Sequence, residues 1–356
     1  MGAGLRFTLR IDNAVNSAVF LLSVRSRWRI PPQLKFVGGS RMKHKASGRC
    51  LAFSLPVLLA VAACSDSDRP VPLSDVEIAP PIVVPPQTNV NSANPTLTLA
   101  DNADVSPGDT LTLVWSDEFD GTQLDPDVWF FETGDGSEYG IPGWGNNELQ
   151  YYLPDSAQLV GGVLQIEARA ESIGRFDYTS ARINTRDRFA FRYGRIEASM
   201  RLPGGQGLWP AFWLLPQDSP YGGWAASGEI DIMEAVNLGG SGGNSVYGTI
   251  HYGGEFPSNS LSGEAYVVSS DATADFHTYA VEWDATEIRW YVDDVLYAMR
   301  NSWSSTGGPF PAPFDEQFYI LFNVAVGGNW PGVPDASTVF PVTMEVDWVR
   351  VYAGEP

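Results

Sequence analysis

From residue 111 onward the chain alternates apolar and polar positions in short runs cut by Gly, Pro and Asp. In GRIEASMRLP, Ile196, Ala198, Met200 and Leu202 alternate with Arg195, Glu197, Ser199 and Arg201. A period of two places the first set on one face of a β-strand and the second on the other. HTYAVEWDATEIRWYVDDVLYAM reads as two such runs around DAT, with DD as the next turn, and MEVDWVRVY closes the chain in the same style. Trp283, Trp290 and Trp348 sit inside these runs and are expected in the core. No stretch carries a convincing helical period. Many short strands with frequent turn signals predict an all-β sandwich or barrel.

One run breaks the pattern. GEIDIMEAV, residues 228–236, sets Glu229, Asp231 and Glu234 among Ile, Ile, Met, Ala and Val. Glu229 and Asp231 share a strand face, but Glu234 is five positions from Glu229, so a regular strand would point it among the isoleucines. A lone ionised carboxylate there costs several kcal/mol or more. One extra residue, a β-bulge near Ile232–Met233, returns Glu234 to the face of the other acids and leaves Met233 with the apolar set. A solvated sheet face normally mixes acids with Lys, Thr, Ser and Gln; this one does not. The row instead suits two carboxyl groups held in different protonation states with a third tuning them, which is equipment for cleaving a glycosidic bond.

Composition narrows the partners. Residues 1–63 hold ten basic residues and one acid, leaving 12 basic residues, all Arg, against 41 acids in the remainder, a net charge of −29. So acidic a surface argues against nucleic acid and suits a neutral polymer such as a glycan. The two cysteines, Cys50 and Cys64, lie in the N-terminal region, so no disulfide framework or Cys-based zinc site is expected beyond it. From Met42 to Cys64 the order is basic start, apolar run and small residues, the layout of a secretory signal. Its ending, LAVAAC, resembles a bacterial lipobox, which makes Cys64 the expected lipidated N-terminus. Residues 1–41 read as an over-extended start, 42–63 as the signal, 64–108 as a Pro/Ser/Asp-rich tether and 109–356 as one large domain. The expected location is the cell envelope, at the outer membrane or surface of a Gram-negative cell, with the lipid as the only membrane contact.

Eleven tryptophans follow residue 63. Trp144, Trp209, Trp224 and Trp330 sit in Gly- or Pro-rich stretches where the backbone bends, as platforms for pyranose rings would. Trp209 and Trp213, four apart, are expected on one strand face, with one of them in the core.

At this point a resemblance becomes specific. GEIDIME resembles the bulged E-x-D-x-x-E signature of glycoside hydrolase family 16. WSDEFDG, WGNNELQYY, TSARINT, YGRIEASMRLPGGQGLWPAFWLLP, GTIHYGG, FHTYAVEW, LFNVAVGGNWPG and VDWVRVY are similar in order to its laminarinase branch. The resemblance implies a β-jelly-roll sandwich of two curved antiparallel sheets with substrate in a concave cleft. It matches Glu229 to the nucleophile, Glu234 to the acid/base and Asp231 to the carboxylate that hydrogen-bonds the nucleophile. Asn147, Arg182, Trp209, Trp213, Trp224, His251 and Trp330 match cleft positions. It also implies one structural calcium on the convex side, near Glu118 and Asp347, and no cofactor for catalysis.

The implied reaction is retaining endo-hydrolysis of β-1,3-glucan by a monomer, which needs the two carboxyl groups roughly 5–5.5 Å apart. Mixed-linkage β-glucan, agarose and carrageenan are the alternative substrates. A non-catalytic glucan-binding lipoprotein is the alternative of another class, and the presence of both glutamates speaks against it.

Overall fold

Alternation becomes two-faced strands in a computed structural model that describes residues 111–354 and the backbone of Leu97–Thr98. The expected signal segment, the Cys64 lipidation site, residues 1–41 and the tether apart from Leu97–Thr98 lie outside the described residues; Leu97–Thr98, expected in the tether, instead pairs as a strand with Phe189 and Ala190. Two large sheets carry the structure, and the helical content among the described residues is three short 3-10 turns.

The larger sheet runs in the order 97–98, 189–191, 318–326, 208–216, 229–234, 245–253, 259–267, with 182–184 and 130–132 branching from 318–326. The other runs 295–300, 288–292, 277–283, 194–201, 342–354, 163–168, 157–160, with 111–117 added on 342–354. Pairing is antiparallel throughout both, apart from the two-residue bridge of 97–98 with 189–191. The all-β, jelly-roll expectation therefore holds.

The core lies between the sheets. Ile196, Ala198, Met200 and Leu202 are buried as their alternation requires. They face Leu208, Phe212 and Leu214 from the other sheet in one apolar cluster. Phe212 stacks on Phe322 with centroids 4.7 Å apart, and Phe191 meets Trp283 edge-on at 4.9 Å. Trp283 and Trp290 are core residues, as predicted. The DD turn is a two-residue hairpin: Asp293 and Asp294 both adopt positive φ, 49° and 61°, the left-handed pair that a tight hairpin demands.

Trp348 departs from expectation. Ser199 pairs with Trp348 but Met200 with Val346, so Asp347 is an extra residue in its strand. The bulge turns Trp348 out of the core, half-buried, with the Arg350 guanidinium 4.0 Å over its ring.

What places the site is the second face of the larger sheet. In 208–216 the even positions enter the core, whereas Ala211, Trp213 and Leu215 form a separate cluster with Ala190, Tyr319 and Leu321 on the opposite face. Both faces of the sheet's central strands are thus apolar and covered. The second face turns polar where 229–234 meets Arg182 and Asn323 around one pocket.

Candidate active site

The predicted bulge is present. Asp231 pairs with Thr249 and Glu234 with Tyr247, three steps on one strand against two on the other. The neighbouring 208–216 strand shows the same skip, Phe212 opposite Met233 and Trp213 opposite Asp231. Ile230, Ile232 and Met233 enter the core, and Glu229, Asp231 and Glu234 line one pocket on the other face. All three acids are nearly sealed from solvent, at 6%, 2% and 9% exposure.

A bulge leaves a carbonyl without its ladder partner, and here the opposite sheet supplies one. Trp290 Nε1 donates to the Asp231 main-chain oxygen at 2.8 Å across the core. The indole reaches it because residue 248 is glycine: a Cβ there would lie 2.4 Å from Trp290 Cδ1 and 2.5 Å from the Tyr297 hydroxyl. Trp290 and Gly248 are therefore parts of the site that periodicity alone files under packing.

Each glutamate is held by an indole. Trp224 Nε1 donates to Glu229 Oε2 at 2.8 Å, and Trp209 Nε1 donates to Glu234 Oε1 at 2.9 Å. His251, paired across the ladder with Glu229, sets its Nε2 3.3 Å from Asp231 Oδ2 and 3.6 Å from Glu229 Oε1. Burial, reinforced by the Asp231 charge, pushes both Glu229 and Glu234 up to about 8; burial also raises Asp231 well above the carboxylate range. The bonds from Trp224 and Trp209 and the His251 ring oppose the shift without cancelling it. Three such groups cannot ionise together, so near neutral pH the cluster retains protons. Of the two glutamates, Glu229 is the one in contact with His251, at 3.6 Å, and is the better-supported anion.

The pocket, about 460 Å³ and open to solvent, has its far wall built by Arg182. This buried guanidinium lies between the rings of Trp144 and Trp213, 4.6 and 4.7 Å from their centroids, and its Nε donates to Glu132. Trp144, expected as an exposed platform, is instead 1% exposed, so its bend in the chain serves to bury it beneath Arg182. Trp213 is the core-like member of its pair, with Nε1 donating to Asn323 Oδ1 at 2.8 Å. Trp209 is half-buried beside the 42%-exposed Trp330, which meets it edge-on at 5.4 Å and touches Tyr247 at 5.0 Å.

Asn147 stands on the rim. It has a positive φ of 55° and its Nδ2 donates to Asn329 Oδ1 at 3.0 Å, while Asn146 lines the pocket. Glu148 joins the pocket wall, accepting from Gln150 Nε2 at 2.6 Å, Tyr152 hydroxyl at 3.3 Å and Asn146 Nδ2 at 3.4 Å, and burial pushes it up to about 7. Sequence reasoning missed it. The available signal was the spacing of Glu148, Gln150 and Tyr152, which puts three polar groups on one face.

The two residues expected near calcium, Glu118 and Asp347, lie just past strand 111–117 and in strand 342–354, which pair with each other. Both Glu118 oxygens accept from Arg350, at 2.9 and 2.7 Å, and this pairing holds Glu118 below its ordinary value. As arranged, that side chain is a guanidinium partner, while Asp347 is the half-buried extra residue of the strand 342–354. His277 lies in the other sheet, between Asp293 Oδ2 at 2.6 Å and Ser270 Oγ at 3.0 Å.

A bulged strand presenting two indole-held glutamates around a buried aspartate is the arrangement of a known hydrolase family, and the family comparison agrees. Residues 132–350 match the model of glycosyl hydrolases family 16. The chain belongs to this family. It is 43% identical over 291 residues to glucan endo-1,3-beta-glucosidase A1 of Niallia circulans, covering 74% of this chain and 42% of that relative. It is 44% identical over 253 residues to a beta-glucanase of Rhodothermus marinus, covering 67% of this chain and 84% of the relative. Among solved structures, the laminarinase catalytic domain of Thermotoga maritima MSB8 superposes with a TM-score of 0.63 at 41% identity, covering 69% of this chain and 99% of that one. This family 16 chain is accordingly a glycoside hydrolase.

Proposed function

We propose that this family 16 chain is a retaining endo-β-1,3-glucanase that works by double displacement. The observation that carries the reading is the pairing of Glu229 and Glu234 on one bulged strand, each oriented by its own indole N–H. Glu229 Oε2 is occupied by Trp224, so Oε1 is the oxygen free to attack the anomeric carbon. As the C–O bond breaks, protonated Glu234 transfers its proton to the departing sugar oxygen. A covalent glycosyl-enzyme results, with Glu234 ionised. That carboxylate then removes a proton from water, which attacks the same carbon from the opposite side and frees Glu229. Asp231, between the two, raises Glu234 and so helps keep the acid protonated for the first step.

The neutral wall suits a glucan. Trp209, Trp330 and Tyr247 offer aromatic faces, and the pocket's guanidinium is already taken by Glu132, which leaves little to attract a sulfate ester. The β-1,3 linkage is supported by the names of the relatives and by the flanking motifs.

Export and anchoring complete the proposal: LAVAAC supports lipidation at Cys64, with a Pro-rich tether carrying the catalytic domain away from the envelope. Fractionation of Cys64→Ala cells should show loss of membrane association.

The central test is a product profile on laminarin, lichenan, agarose and carrageenan, with the anomer followed by NMR during hydrolysis. Oligosaccharides of mixed length from laminarin, released first as the β-anomer, are expected. Faster turnover of lichenan or a galactan would move the substrate, and an α-anomer would overturn the double displacement.

A further inference from the structure

The cluster that holds the nucleophile has a second chemistry. Glu229, Asp231 and His251 each offer a donor atom, and all three lie within 4.8 Å of one another. The contacts from His251 Nε2, 3.3 Å to Asp231 Oδ2 and 3.6 Å to Glu229 Oε1, are long for hydrogen bonds. They are close to another length. Two ligands bound at 2.0–2.1 Å to a tetrahedral ion stand about 3.3 Å apart. Asp231 adds an independent sign: it is 2% exposed, yet its Oδ2 has no hydrogen-bond partner. A buried carboxylate oxygen with no donor is costly and calls for one. Glu229 Oε2 is committed to Trp224, which leaves Oε1 to face the same point.

We propose that Glu229 Oε1, Asp231 Oδ2 and His251 Nε2 form a three-ligand site for a zinc-type divalent cation, with the fourth position open to the cleft. A nitrogen among the donors selects against calcium and magnesium, and two carboxylates with one imidazole suit zinc or cobalt. The ion occupies the oxygen that attacks sugar, so its binding and glucan hydrolysis exclude each other. The site is an inhibitory switch set by metal supply. The binding claim does not rest on the glucan reading, and its first readout needs no substrate.

The test uses the full chain, freed of metal by chelation and titrated with CoCl2. One equivalent should produce the intense visible absorption of low-coordinate cobalt, and ZnCl2 should abolish it. Surface carboxylates bind cobalt as a pale octahedral complex, so band intensity separates the two. His251→Gln and Asp231→Asn should each weaken cobalt binding by about 100-fold or more, the second variant deciding if the first does not fold. ZnCl2 should inhibit laminarin hydrolysis competitively, with recovery on chelation. Only weak octahedral absorption, or an intense band that survives both substitutions, overturns the site. Zinc binding without inhibition overturns the assignment of Glu229 as a ligand.

Discussion

The two sheets treat their carboxylates in opposite ways. On the outer face of the smaller sheet, acids are paired with arginine. Arg195 meets Glu197, Glu282 and Asp294; Arg289 meets Glu282 and Glu287; Arg350 meets Glu118. In the cleft of the larger sheet, Glu229, Asp231 and Glu234 have no arginine, and the one in their pocket is spent on Glu132. Their direct donors are indole N–H groups, with His251 alongside. A guanidinium orients a carboxylate and also drags its pKa down, as Arg350 does to Glu118. An indole orients it while adding no charge, so burial can still raise it. Position without neutralisation is what an acid/base pair at neutral pH needs.

The most severe way to break the comparison is to remove the cleft acids singly. Glu229→Ala should lose all turnover on glucan and on dinitrophenyl glucosides alike. Glu234→Ala should lose about 10²–10⁴-fold on glucan yet still be glycosylated by the activated substrate and then stall. Azide should restart it with a β-glycosyl azide product, whereas azide with Glu229→Ala should give the α-azide. An α-azide from Glu234→Ala would reverse the two assignments.

Next in size is the bulge support. Trp290→Phe keeps an aromatic ring but removes the pyrrole ring and its N–H, leaving the Asp231 carbonyl unpaired at a cost of about 1–3 kcal/mol beside the lost packing. Displacement of the carboxylates should lower kcat about 10- to 100-fold with KM little changed. If kcat is untouched while Tm falls, Trp290 is packing only.

Replacing an indole donor sharpens the role of neutrality. Trp209→Phe removes a bond that favours ionised Glu234, so the alkaline limb of the pH–kcat profile should move to higher pH, with kcat reduced about 10-fold or less. A move to lower pH would mean that the bond supports the protonated form.

The cleft should also reveal itself in stability. Glu234, the acid/base, is raised from 4.5 to about 8, so the native state holds a proton that the unfolded chain has released, and stability is lost as pH rises across that window. Glu234→Gln removes this penalty. Its Tm should match wild type near pH 4 and exceed it at pH 8 by several degrees, on the order of 2 kcal/mol. An equal Tm at pH 8 would show that the cluster's charge is relieved elsewhere. On the outer face Glu118→Gln breaks a partly exposed pair and should cost about 1 kcal/mol or less, read as a small pH-independent drop in Tm around neutrality.

Much of this was legible in the residues. Alternation identifies the strands and their core faces, and the odd spacing of Glu234 from Glu229 by itself demands a bulge. Legibility failed where the backbone left its regular period. Trp144, in a Gly-rich bend, was expected exposed and is buried under Arg182. Trp348, inside an alternating run, was expected buried and is turned outward by the extra residue Asp347. The same device, one inserted residue, was readable in residues 229–234 because it would otherwise bury a charge. At Asp347 nothing so costly marked it.

The sequence by itself determined the all-β class, the facing of most strands and the identity of the acidic row, because a period of two and the penalty on buried charge are local rules. Only the tertiary structure decided what holds that row in place. Trp209, Trp224, His251 and Trp290 come to the 229–234 strand from other segments and, for Trp290, from the other sheet. No strand periodicity connects residues that sit on separate segments. Their partnership follows from sheet order, register and the close approach that Gly248 permits.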